Sequence, residues 1–194
     1  MAMNGRGQFT SLLFDACGTE PKSWKEYDAI QFPSHSGKYM ANIRYPKNRD
    51  LDFEQRLVVK DADGNEILLG RNEYAIEVKW HRTQIGDVLV VKDRWDAHFE
   101  QLHFVFFPGG DIFKYRVLYS TPKTFCPKVG DKEYVPYDIQ AKLLEFKKTG
   151  FVSIKLSWGF SNSDGNKGGN VTFSVPLFYG FESDMDLSGQ GTRK

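Results

Sequence analysis

The chain has 194 residues, enough for one domain with a single sizeable core, and its sixteen Phe and nine Tyr favour a β-rich interior over a helical bundle. Its 26 Lys and Arg nearly cancel its 25 Asp and Glu, and the net charge of +1 argues against a nucleic-acid coat, which requires clustered positive charge. The same balance permits close self-association near neutral pH.

The N-terminal part of the chain carries no convincing leader signal. The apolar run at 9–17 lacks a preceding basic region and is interrupted by Asp15, so we expect no signal peptide and an intracellular location, in a host cell if the protein is viral. No stretch approaches the ~18 apolar residues of a membrane-spanning helix. We divide the chain into an N-terminal arm (1–8), one β-sandwich domain (9–181) and a polar C-terminal tail (182–194).

Helical spacing predicts two short helices. One covers 21–30, which begins with a proline and repeats aromatic or apolar residues at every third position. The other depends on Ile139, Leu143 and Phe146, which follow the i, i+4, i+7 pattern of an amphipathic helix. Asp138 precedes them and is a candidate N-cap.

Alternation of apolar and polar residues predicts strands through most of the remaining chain. The central pair is a hairpin over 99–119 with its turn at 108–111, where glycines take positive φ angles cheaply. Its first strand, 102–107, has almost no polar face and is predicted to be covered on both sides. In its second strand four side chains are expected on one face: Phe113, Tyr115, Val117 and Tyr119. The other predicted strands are 39–45, 53–60, 66–69, 74–80, 87–92, 152–158 and 171–177, with a hairpin turn at 61–65 and a loop at 161–170.

These elements predict a mainly β fold class. We expect an antiparallel β-sandwich, jelly-roll-like, of about 8–10 strands with one or two short helices. Trp80 continues an apolar strand face and is expected in the core, whereas His81 follows it into a turn.

No group of residues has the spacing of a catalytic or cofactor motif, so we expect neither catalytic residues nor a cofactor. The tightest group of potential metal ligands includes His98 and Glu100, which would share a strand face. Their pattern matches neither a cupin site nor the helical zinc-hydrolase motif, and ordinary polar residues at a sheet edge explain it. A metal-dependent, polysaccharide-active enzyme is therefore the least favoured function. Cys17 and Cys126 have no metal-binding spacing and are either free or paired.

A carbohydrate- or receptor-binding β-sandwich is the main alternative function. Such a module needs exposed aromatic rings beside amides or acids, and its partner would be a glycan or a receptor. Residues of this kind are predicted near one end of the sandwich: Trp158, Asn162, Asp164, Asn166 and Tyr179.

The central part of the chain also carries an ordered series of short motifs. In order along the chain these are Lys-Tyr-Arg-Val-Leu at 114–118, Cys126, Tyr-Val-Pro-Tyr-Asp-Ile at 134–139, Leu144-Glu145 and the strand at 152–156. This order resembles the baculovirus-type polyhedrins and granulins, the matrix proteins of viral occlusion bodies. The resemblance implies a jelly-roll-like β-sandwich that assembles into a crystalline lattice through arms and loops and has no catalytic residues. The N-terminal half of the chain shows no correspondence.

We therefore predict a non-enzymatic, self-assembling structural protein, such as an occlusion-body matrix protein or a capsid or tail component. Its partners would be copies of itself in an oligomer, lattice or shell, and neither nucleic acid nor membrane is expected. The predicted assembly contacts lie in the arm, the tail and the segment around the second cysteine: Asn4, Arg6, Gln8, Cys126, Gln190, Arg193 and Lys194.

Overall fold

The computed structural model describes residues 2–3, 9–10, 27–47, 54–72, 74–109, 111–123, 128–129, 132–133, 135–162 and 165–178. Within these ranges the fold is mainly β, and two sheets are consistent with the predicted sandwich. The strands in chain order are β1 (Ala2–Met3), β2 (Phe9–Thr10), β3 (Tyr27–Pro33), β4 (Tyr39–Pro46), β5 (Gln55–Asp61), β6 (Glu66–Asn72), β7 (Ala75–Arg82), β8 (Asp87–Asp96), β9 (Phe99–Phe107), β10 (Arg116–Ser120), β11 (Lys128–Val129), β12 (Lys132–Glu133), β13 (Asp138–Phe146), β14 (Phe151–Asn162) and β15 (Gly165–Pro176).

The smaller main sheet has four strands in the order β3-β4-β5-β6. The larger sheet has seven and runs β15-β14-β13-β9-β8-β7, with β10 also paired to β9. Strands that follow one another in the sequence are mostly neighbours in a sheet, which is a meander connectivity; the chain of a jelly roll instead alternates between its sheets.

The larger sheet branches at β9. Antiparallel β10 pairs with β9 from His103 to Phe106, whereas parallel β13 meets β9 at the single pair Ile139 and Phe99. Consequently β13, β14 and β15 form a three-stranded unit that joins the rest of the sheet at one end of β9.

Two apolar cores lie on opposite faces of β8 and β9. Leu89 and Val105 belong to the first core, which the smaller sheet covers, whereas Val90 and Phe104 belong to the second, which β13–β15 cover. The prediction that residues 102–107 are covered on both sides is therefore confirmed. Trp80 is buried in the first core, as predicted, and its Nε1 donates a hydrogen bond to the Phe32 carbonyl at 2.8 Å.

The helix predicted at 138–146 is wrong, because this segment is strand β13. A register shift between Leu143 and Glu145 inserts one extra residue, so the side chains paired opposite the β14 core row are Ile139, Ala141, Leu143 and Phe146. A β-bulge thus converts period-two alternation into a set whose members also fit i, i+4, i+7. The bulge produced the helical signal.

Three further expectations are corrected. The helix predicted at 21–30 is wrong where it can be compared, because residues 27–30 belong to β3; residues 21–26 lie outside the described part. The loop predicted at 161–170 is mostly strand, since β14 and β15 pair from Phe151–Pro176 as far as Asn162–Gly165. The central hairpin is confirmed, but its second strand begins only at Arg116, because Phe113 lies in a 3-10 helix (Ile112–Lys114) and Tyr115 follows it. Phe113 and Tyr115 pack against the first core, whereas a bulge after Val117 places Tyr119 against the second, so the predicted common face is broken.

Candidate functional site

The predicted assembly contacts cannot be located. All seven lie outside the described residues: Asn4, Arg6, Gln8, Cys126, Gln190, Arg193 and Lys194. Cys17 also lies outside them.

The alternative ligand site predicted at one end of the sandwich is located only in part. Trp158 is half-buried on β14, and its indole ring lies over Gly169, where an added Cβ would come within 2.7 Å of the ring. Asn162 and Asn166 occupy the closed end of the β14–β15 hairpin, where Asn166 pairs with Ser161 and Asn162 with Gly165. Asp164 and Tyr179 lie outside the described residues.

The two potential metal ligands do not share a strand face. His98 is exposed in the turn between β8 and β9, with its ring edge-on to Tyr137, whereas Glu100 is buried on β9 and engaged by cations. The ranges that the structure describes contain no group of three or more His, Cys, Asp or Glu placed to hold a metal ion.

The described part of the chain includes a charged groove of about 750 Å³. It lies across β7, β8, β9, β13 and β14. Its charged and polar lining residues are Glu77, Lys79, Lys92, Arg94, Glu100, Gln140, Lys142, Lys155 and Ser157. Apolar residues complete the lining: Val78, Val90, Leu102, Ala141 and Leu143.

Glu100 is the fixed centre of the charged groove. Its side chain is only 8% exposed, and its Oε1 accepts from Arg94 Nη2 at 2.7 Å and from Lys92 Nζ at 3.0 Å. The hydrogen bond with Glu100 raises the pKa of Arg94, which keeps the guanidinium charged. A buried carboxylate with two cationic partners is well compensated, so Glu100 positions Lys92 and Arg94 rather than acting as an available acid.

Lysines dominate the other wall of the groove. Lys142 on β13 and Lys155 on β14 are directly opposite each other in the antiparallel pair, and the neighbouring opposite pair is Gln140 and Ser157. Like charges directly opposite on neighbouring strands are destabilising. The register of the β13–β14 hairpin therefore maintains an unfavourable cationic pair at the groove.

No protein-family model, curated protein or solved structure matches this chain.

A second polar group is buried on the face of β8 and β9 that is turned toward the smaller sheet. The Asn72 amide donates to Asp93 Oδ1, and Asp93 is only 1% exposed. Burial raises the pKa of Asp93 to about 6. On the neighbouring strand, Nδ1 of His103 and Oγ of Ser120 are hydrogen-bonded at 2.9 Å, and burial lowers the pKa of His103 to about 4. Asp93 and His103 are therefore both mostly uncharged at mildly acidic pH, and we assign them a structural role.

The outer edge of β15 is the third notable surface. This strand of twelve residues ends the larger sheet, so within the described ranges only its β14 side is paired. Its segment 168–175, Gly-Gly-Asn-Val-Thr-Phe-Ser-Val, contains neither a charge nor a proline. Val171 is 43% exposed, while Phe173 and Val175 are partly buried against the second core. The strand therefore presents unpaired backbone groups beside a partly covered apolar row.

Sequence reasoning missed both the groove and the open edge. The helix predicted at 138–146 includes Lys142 and does not indicate that Lys142 lies opposite Lys155. Gly150 is a turn signal in the sequence, and in the structure it takes a φ of +84° in the turn between β13 and β14. The loop predicted at 161–170 leaves out the first six residues of β15, 165–170. Within the described residues no helix is long and apolar enough to cross a membrane.

Proposed function

We propose that this chain is a non-enzymatic structural protein that assembles with copies of itself, as an occlusion-body matrix protein or a capsid or tail component does. The observation that supports the proposal is the outer edge of β15. A long edge strand with an uncharged, exposed central segment is a template for pairing with another chain.

The other sheet edges in the described part of the chain carry features that discourage strand addition. Edge strand β7 includes Glu77, Lys79 and Arg82, and edge strand β6 includes Glu66 and Arg71. Strand β10 has only five residues and a bulge, and β3 ends in a proline. Charges, shortness, bulges and prolines are the usual protections of an edge. Strand β15 has a charge and a proline only toward its two ends, at Lys167 and Pro176.

Antiparallel pairing of two β15 strands would give a two-fold dimer with one continuous sheet. The strand is about 40 Å long at ~3.4 Å per residue, so pairing would add backbone hydrogen bonds along its length and cover the apolar row at Val171. A two-fold contact closes after two copies. Growth into a lattice or shell requires a second contact, for which the arm and tail residues named above are the candidates.

Replacing Val171 with Lys tests the contact. A charge at the centre of the edge is expected to shift the concentration at which copies associate upward by at least tenfold, measured by sedimentation velocity and by electron microscopy of the assemblies. Val117→Lys on β10 is the matched control, because Val117 is 47% exposed against 43% for Val171 and the chemical change is identical. Equal effects of both variants, or a monodisperse monomer of the unaltered protein at high concentration, would contradict the proposal.

The second candidate is a carbohydrate- or receptor-binding module. The charged groove supports it in a different place from the one that the sequence predicted.

A further inference from the structure

We infer that the charged groove binds an oligosaccharide that carries carboxylate or sulfate groups. This inference does not depend on the structural role proposed above; it specifies the ligand class of the second candidate function and rests on that candidate. A lattice protein and a monomeric module could both use the groove.

The first argument is the charge of the lining. Five cationic residues line the groove, against two acidic ones. Lys92 and Arg94 are engaged by Glu100, and Lys92 also lies 3.9 Å from Glu77. The three remaining cations have no ion-pair partner within the described residues: Lys79, Lys142 and Lys155. The groove therefore has an excess of three positive charges in a chain whose net charge is only +1, so an anion would be attracted to this surface specifically.

The second argument is the opposed lysine pair. Lys142 and Lys155 repel each other across the β13–β14 ladder, and either could be replaced by a neutral residue without loss of a described ion pair. An anionic group bridging the two ammonium groups would convert this repulsion into attraction. The repulsion between the two lysines in the unliganded protein is thus offset, when the ligand binds, by their attraction to its anionic group.

The third argument concerns the kind of anion. The groove volume of about 750 Å³ is within the usual range of ligand sites and far exceeds one sulfate or phosphate ion. Gln140 and Ser157 lie next to the lysine pair and offer neutral hydrogen-bonding groups suited to sugar hydroxyls.

Nucleic acid fits the groove less well. Binding of single strands depends on aromatic side chains on which the bases stack. The described residues that line the groove include no aromatic ring. An acidic oligosaccharide requires charge and hydroxyl recognition but no stacking platform, so it matches the lining better.

Titration calorimetry at low and high salt tests the inference on the full chain. The probes are a heparin-derived hexasaccharide, hexagalacturonate, neutral maltohexaose, inorganic sulfate and a single-stranded DNA hexamer. We expect the acidic hexasaccharides to bind at least tenfold more tightly than the other three probes, and the binding to weaken in high salt because the ammonium groups remain partly exposed.

The variant Lys142→Gln/Lys155→Gln is expected to bind the acidic hexasaccharides about tenfold more weakly, a change that corresponds to ~1.4 kcal/mol. Lys147→Gln/Lys148→Gln removes the same charge from the exposed turn between β13 and β14 and is expected to bind within twofold of the unaltered protein. Thermal unfolding without ligand provides a second readout, since removing the repulsive pair should not lower the melting temperature.

Four results would overturn the inference. They are no binding of either acidic hexasaccharide, equal binding of maltohexaose, equal binding of sulfate or the DNA hexamer, and equal weakening by the two double variants. The Val171→Lys test leaves the lysines of the groove in place, so failure of the assembly proposal and failure of this one are distinguishable.

Discussion

Replacing Asp93 with Asn is expected to stabilise the protein at neutral pH. Asp93 lies on β8 in the face turned toward the first core, where its side chain is 1% exposed and accepts a hydrogen bond from the Asn72 amide. Asn has nearly the same shape and can keep an oxygen toward Asn72, but it carries no charge. The substitution therefore isolates the cost of a buried carboxylate.

The magnitude follows from the pKa. Burial raises the pKa of Asp93 to about 6, although the Asn72 hydrogen bond and Lys123 act in the opposite direction. An Asp in an unfolded chain has a pKa of about 3.9. Between about pH 4 and 6 the native protein therefore holds a proton that the unfolded chain has released, and the free energy of unfolding decreases as the pH rises through this interval. At ~1.4 kcal/mol per pKa unit, ionised Asp93 costs about 3 kcal/mol at pH 7.

Urea unfolding at pH 4, 5, 6 and 7, followed by Trp fluorescence, measures this cost. We expect Asp93→Asn to resemble the unaltered protein near pH 4 and to be about 2–3 kcal/mol more stable at pH 7. Asp63→Asn in the exposed turn between β5 and β6 changes the net charge equally and serves as the control. A stability difference between Asp93→Asn and the unaltered protein that is the same at every pH would refute the reasoning.

Two further predictions concern His81 and the β13–β14 turn. Burial, with smaller contributions from Lys79 and His35, lowers the pKa of His81 to about 4. Between about pH 6.5 and 4 the unfolded chain therefore binds a proton that the native protein does not, and the free energy of unfolding decreases as the pH falls through this interval. We expect His81→Gln to lose stability less steeply on acidification, measured as urea midpoints from pH 7 to 4; parallel profiles would contradict this. We also expect Gly150→Ala to lower the melting temperature more than Gly37→Ala. Both glycines have a positive φ, but of the two only Gly150 is so close to a side chain, the ring of Phe178, that an added Cβ would overlap it. Equal losses would show that the ring moves aside freely.

Three of the four strands of the smaller sheet, β4, β5 and β6, were accessible to sequence reasoning because their signals are local, whereas β3 was not. In β4, Tyr39, Ala41 and Ile43 alternate without interruption, and the turn at 61–65 contains a glycine that takes a φ of +88°. Each signal depends on neighbours within a few residues, so tertiary structure had little opportunity to override it. The predicted alternation therefore matched the pairing.

The charged groove and the buried acid were not accessible in the same way. The groove combines residues from Glu77 to Ser157, and only the path of the sheet brings them together. Asp93 is separated from Leu89 and Val91 by even numbers of residues, so the strand pattern places all three side chains on the same face. At the end of a strand, however, the same pattern fits an acidic side chain that is exposed to solvent equally well. Period-two patterns identify a face without saying how far the opposing sheet extends over it. Bulges add a second limit, as β13 illustrates, because one extra residue changes the apparent period.

The branch at β9 has a consequence for temperature. Since β13 meets β9 at one backbone pair, the three-stranded unit is attached to the rest of the molecule mainly through the apolar contacts of the second core. Attraction between apolar surfaces weakens on cooling, whereas backbone ladders are less affected. The attachment of β13–β15, and with it the wall that carries the opposed lysines, is therefore expected to weaken on cooling.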